Sequence, residues 1–183
     1  MTKSSEDVKL LDSLLRELDL LSKPKPVDFS GIHLDAGSFP EQQRFVKDAA
    51  PFQAVLCTRR AAKSYSGGLK AFQECMKYPG CNILIAGLSS DEVFGIWWKD
   101  ILLDIAERHA VPVTPLKSEM CINLPNRSAI YLLGMDANDK QKRNALGRKY
   151  RLVIIAEAQD WASNLATIVF HTLKAAVADW NGL

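Results

Sequence analysis

Apolar positions recur along the chain in two rhythms. Leu10, Leu11, Leu14, Leu15, Leu18 and Leu21 fall at helical intervals, and Ser4 with Asp7 has capping-box spacing, which predicts an amphipathic helix over 5–21. "SKPKP" ends it, because proline removes a donor and restricts the residue before it. Residues 22–38 then read as an extended linker with turns at Gly31 and Gly37, and a second helix starts near Pro40 and runs through "EQQRFVKDA". Beyond it the rhythm alternates. "FQAVLC" is a strand, 63–78 a helix, "NILIAGL" a strand, and 90–108 a long helix capped by Ser89 or Ser90. "EMCINLP" and "SAIYLLGM" follow as two strands joined by an Asn-Arg turn, a hairpin or antiparallel edge. "RLVIIAEA" is a strand apolar on both faces, and 163–178 a closing helix. Strands alternating with helices predict an α/β fold with a mostly parallel sheet covered on both sides. Trp97, Trp98, Ile101, Leu102 and Ile105 form a helical apolar stripe expected in the core.

Composition narrows the class. With 183 residues, 48% apolar and 24% charged, the chain can bury a core of its own. No apolar run approaches the roughly 20 residues that span a bilayer. The N-terminus mixes acids into its start and lacks a small-residue cleavage site, so an intracellular protein is expected. Cys57, Cys75, Cys81 and Cys121 form no CxxC pair and read as reduced thiols, and His33, His109 and His171 have no metal-ligand spacing. Net charge is +2, but "KQKRNALGRKYR", Lys140 to Arg151, holds six basic residues and no acid. It is either a solvated loop or a phosphate-facing patch.

Ligands bind at the carboxyl ends of strands in such sheets, and two motifs fall there. "CTRRAAKSY" follows the first predicted strand. Aligned on Lys63-Ser64, it places Cys57 and Ala62 where a phosphate loop carries glycines, while the Lys-Ser pair and the strand–turn–helix setting remain. In such a loop backbone N–H groups wrap phosphate, the lysine bridges phosphate oxygens and the hydroxyl binds Mg²⁺. Alanine suits position 62 if it takes the right-handed conformation that opens a helix. "LVIIAEAQDW" is an apolar strand ending in Glu157, where a partner motif would read Asp-Glu; here Ala156 precedes the glutamate. A third stretch, "FPEQQRFV", carries Gln42 and Gln43, whose amides can donate to and accept from a base at once, with Phe39 or Pro40 able to pack near it.

Together these stretches resemble the N-terminal ATPase domain of the large terminase subunit of tailed bacteriophages, a DNA-packaging motor. That family combines a Gln-containing adenine motif with a deviant, arginine-containing phosphate loop, to which "LCTRRAAKSY" is similar. "NLPNRSAIYLLGMD" resembles its intervening strand pair and "ALGRKYRLVIIAEAQDW" its approach to the acidic strand. The resemblance covers roughly residues 39–180 and implies a RecA-like (ASCE) P-loop NTPase fold. The implied organisation is an N-terminal helix and linker over 1–38 and an ATPase domain over 39–183. By the same resemblance that domain would be incomplete at its C-terminus and would lack the family's nuclease domain.

The resemblance implies ATP and Mg²⁺ as cofactors. Gln42, or alternatively Gln43, would contact adenine. Thr58, Arg59, Arg60, Ala61, Ala62, Lys63, Ser64 and Tyr65 would form the nucleotide loop. Lys63 would hold the β- and γ-phosphates, Ser64 would ligate Mg²⁺, and Arg59 or Arg60 would approach the γ-phosphate. Glu157 would be the catalytic carboxylate and would reach the metal through water. Ala156 in place of the usual Asp implies impaired hydrolysis. Double-stranded DNA, a portal protein and a small terminase subunit would be the partners of a ring-shaped motor working at the procapsid portal in the host cytoplasm. Two alternatives stand beside it: a helicase-like P-loop ATPase, and a hydrolysis-deficient nucleotide- or DNA-binding module.

Overall fold

The computed structural model describes Leu14 and residues 27–34, 39–58 and 60–161. The helix expected over 5–21, apart from Leu14, the helix expected over 163–178, the turn at Gly37, His171 and Arg59 lie outside this set. The described elements run α1 (Pro40–Lys47), α2 (Lys63–Lys77), β1 (Asn82–Gly87), α3, β2 (Thr114–Leu116), β3 (Cys121–Asn123), β4 (Ala129–Gly134), α4 (Asp139–Leu146) and β5 (Leu152–Ile155). α3 is one continuous helical run, α-helical over Ser90–Glu92 and Asp104–Arg108 and π-helical over Val93–Leu103. Pro40 opens α1, where its missing N–H costs nothing. Ser89 caps α3 by accepting from the Glu92 amide, and Asn138 with Gln141 forms a capping box on α4.

The sheet order is β2-β3-β4-β1-β5. β1 pairs in parallel with β4 and with β5, while β3 is antiparallel to both β4 and β2. Four strands therefore share one direction and β3 alone opposes them, so the sheet is mostly but not wholly parallel. β3 and β4 form the expected hairpin, turning at Asn126-Arg127 with Arg127 at φ 66°. β2 was not expected. It is three residues long with a central proline, confined to the sheet edge.

One expected strand is absent. Residues 53–58, "QAVLCT", are not part of the sheet, and Leu56 is fully exposed. The physical reason lies at Gln53. Its amide donates to the carbonyls of Asp48 (2.8 Å) and Ala50 (3.4 Å), and its Oε1 accepts from Lys70 (2.8 Å). These bonds tie the start of the run to the end of α1 instead of to a strand edge.

Helices cover both faces. On one, Leu69 and Phe72 of α2 and Trp97, Ile101 and Ile105 of α3 pack against Ile83, Ile85, Ile130 and Leu132; the whole predicted tryptophan stripe is buried here. On the other, Leu84, Leu133 and Tyr150 gather with Val153, Ile155 and Ala145. The Tyr150 hydroxyl donates to Ala145 O at 2.6 Å, so the buried phenol is satisfied. A buried polar knot joins the β3–β4 turn to the end of α2. Asn126 Nδ2 donates to Cys75 O at 2.7 Å, and the Ser128 hydroxyl shares the same acceptor.

Glycines set how closely α3 approaches its neighbours, Gly68 and Gly134 among them. A Cβ on Gly68 would lie 2.7 Å from the side chains of Ile101 and Ile105. A Cβ on Gly134 would lie 2.1 Å from the backbone nitrogen of Ser90, and backbone cannot yield as a side-chain tip can. Gly134→Ala is therefore expected to destabilise the fold by about 3 kcal/mol, at the upper end of overpacking. Gly31→Ala, with open space around it, stays within about 0.5 kcal/mol. Urea unfolding of the two variants checks this, and equal midpoints would overturn it.

Candidate nucleotide site

β1, β4 and β5 end on the same side of the sheet, and Glu157 stands two residues beyond β5. Lys63, the first residue of α2, reaches that point. Its Nζ lies 3.3 Å from both Glu157 carboxylate oxygens, a contact between residues 94 apart in sequence. Both side chains are about one-third exposed, so solvent screens the pair and its net strength is at most about 1 kcal/mol. A phosphate oxygen could compete with the carboxylate for the ammonium at little cost. Gln159, two residues further on, also donates to Glu157 Oε2. Glu157 itself sits at φ 47°, a left-handed conformation that an L-residue adopts only when its surroundings enforce it.

Beside Lys63 opens a cavity of about 380 Å³. Phe39, Phe45, Val55 and Leu56 give it apolar lining, and Glu41, Gln42, Arg60, Lys63 and Ser66 polar lining. Cys57, exposed, lies on its wall. Gln42 links this cavity to the loop, its Nε2 donating to the Ala61 carbonyl at 3.1 Å. Gln43 does not line the cavity. The loop itself alternates in hand: Arg60 has φ 66° and Ala62 has φ 53°, ψ 28°.

Ala62 therefore does not take the right-handed conformation proposed for it. It is left-handed immediately before α2, the geometry for which glycine is the default. The chain accepts the strain because Ala62 O receives both the Ser66 amide (2.9 Å) and the Ser66 hydroxyl (3.0 Å), which lock the first turn of α2.

The other proposed loop residues are spread. Thr58 is exposed and its carbonyl accepts from Ala61 N (3.4 Å). Ser64 is half-buried at the start of α2. Tyr65 turns away: its hydroxyl meets His109 Nε2 at 3.2 Å, and His109 Nδ1 meets the His33 carbonyl at 2.9 Å. Burial raises the Tyr65 pKa. Ala156 is buried, with its N–H on Ala86 O and its carbonyl accepting from Trp161 Nε1. The basic run is partly committed to structure, since Arg151 pairs with Glu74 at 2.7 Å and stacks over Tyr78, and Arg148 stacks over Tyr131.

The residues present fit a nucleotide. The cavity has the size of a small-molecule pocket, and its lining combines apolar side chains with two cations, Arg60 and Lys63, and one carboxylate, Glu41. Among the described residues no group of three or more His, Cys, Asp or Glu is placed to hold a metal ion. A magnesium ion would therefore rely on Ser64 and on phosphate and water oxygens, as this ion commonly does. No helix among the described residues is long and apolar enough to cross a membrane.

No family model matches the chain, and no curated protein matches it. Among solved structures it is similar to the large terminase ATPase domain of Thermus phage P74-26, at 17% identity and a TM-score of 0.49. The match covers 67% of this chain and 53% of that one, so this chain spans about half the length of that structure.

The conformation of Ala62 gives a direct prediction. Ala62→Gly removes a left-handed alanine and should stabilise the protein by about 1 kcal/mol. For a chain of this size that raises the melting midpoint by about 2–4 °C. A lower midpoint in calorimetry would show that the loop does not hold alanine under strain.

Proposed function

We propose that this chain is the ATP-binding domain of a viral DNA-packaging motor, a large terminase subunit of the tailed-phage type. The observation that carries the proposal is the contact between Lys63 and Glu157. It joins the Lys-Ser loop to the acidic strand end, beside a cavity that Gln42 also lines. Gln42 and the apolar wall would receive the adenine. Lys63 and the amides opening α2 would bind the β- and γ-phosphates. Bound Mg²⁺ would neutralise phosphate charge, held by Ser64 and through water by Glu157. With Lys63 turned to the phosphates, Glu157 would orient a water and take its proton. Arg60, on the cavity wall, and its neighbour Arg59 would face the γ-phosphate. In the assembled motor, hydrolysis would drive double-stranded DNA into a procapsid, with portal and small subunit as partners, in the host cytoplasm. A calorimetric titration tests the core of this. Wild type should bind ATP, and Lys63→Ala should lose about tenfold or more, the 1.4 kcal/mol or greater of a charge-assisted hydrogen bond. Equally negligible binding by both proteins would refute the reading.

Ala156 favours a second reading, a nucleotide-binding module with little or no hydrolysis. The residue lies buried at the end of β5, where the motor would carry a carboxylate. Burial there would raise the pKa of an introduced carboxyl unless a cation compensates it. Ala156→Asp should therefore lower stability without ligand, recover it with Mg²⁺ and ATP, and increase phosphate release. Stability lost without any gain in release would leave the binding module as the better description.

A further inference from the structure

Lys70 is the one buried residue of the charged types (Lys, Arg, Asp and Glu) among the described residues, at 8% exposure. An ammonium in that position must satisfy three donors. It does so without a carboxylate: Nζ donates to Phe45 O (3.1 Å), Asp48 O (2.7 Å) and Gln53 Oε1 (2.8 Å). It also lies 5.0 Å from the centre of the Phe45 ring. Two of the acceptors are carbonyls at the C-terminal end of α1, where the helix dipole favours a cation. Burial lowers the Lys70 pKa, as expected for a charge whose partners are neutral.

We infer that Lys70 is a positioning residue that sets the apolar wall of the nucleotide cavity. Phe45 is part of that wall, and Lys70 holds both its carbonyl and its ring. Gln53 opens the segment bearing Val55, Leu56 and Cys57, which line the same cavity yet belong to no strand. The bonds of Gln53 to Lys70 and to the end of α1 anchor that segment. Lys70 stands two turns beyond Lys63 on α2, about 10 Å along the axis. One helix therefore fixes the distance between the phosphate end and the base end of the site. This inference rests on the nucleotide reading above.

The test titrates ATP and inorganic tripolyphosphate into wild type, Lys70→Met, Lys70→Arg and Gln53→Ala, and follows amide hydrogen exchange in the same proteins. Methionine fills the volume of the lysine stem without its donors. Lys70→Met should weaken ATP about tenfold, leave tripolyphosphate unchanged, and speed exchange over 40–58 but not in β1. Lys70→Arg should restore most of the ATP affinity, and Gln53→Ala should show a smaller loss. Wild-type ATP affinity in Lys70→Met, or equal loss of both ligands, would overturn the inference. Should Lys70→Met fail to fold, Gln53→Ala decides in the same way. If wild type binds no ATP, the nucleotide reading falls by itself. Exchange then judges the clamp: unchanged protection over 40–58 in Lys70→Met rejects it, and lost protection sustains it.

Discussion

β1 is held on both edges and on both faces. Ile83, Leu84, Ile85 and Ala86 are fully buried, and the strand pairs in parallel with β4 along its whole length and with β5 along most of it. Parallel neighbours cannot be joined by tight turns, so the chain must cross a face of the sheet each time. One crossing carries α3 over the face that also holds α2, and the other carries α4 over the opposite face. Because the three strands run the same way, their ends lie on one side. Glu157 arrives there by topology, and α2, packed on the sheet, begins there with Lys63. The meeting of the two side chains is thus a product of strand direction and not of their weak mutual attraction.

Two lysines of α2 show how differently one helix can use the same side chain. Lys63 is partly in solvent and faces a carboxylate across a contact that solvent screens. Lys70 is buried against neutral oxygens, where unpaired donors would be costly. The screened ammonium and the buried one are set two turns apart.

The sequence carried the elements whose pattern is long or strongly apolar. "NILIAGL", "SAIYLLGM" and "RLVIIAEA" became β1, β4 and β5, and the Trp97 stripe became the inner face of α3. It misled at "FQAVLC", where an apolar run suggested a strand but Gln53 tied its start to α1. The π-helical winding of Val93–Leu103 left no mark in the spacing, since a wide apolar face suits either helix. At the site, Gln42, Lys63 and Glu157 were legible as residue types in order. The left-handed backbone of Ala62, the turn of Tyr65 toward His109, the bond from Gln159 and the role of Lys70 were not. Each depends on a partner distant in the chain or on a dihedral angle, and neither is written in local composition.

The distribution of sulfur across the fold has a practical side. Cys75, Cys81 and Cys121 are sealed in the interior, and burial pushes the Cys121 thiol up to about 11. Cys57 stands in solvent on the wall of the cavity. Only a thiolate that meets solvent reacts readily. A maleimide fluorophore would thus label the native chain at a single place, on the cavity's own wall. The protein carries its own attachment point for an optical readout of occupancy, with no residue added or removed.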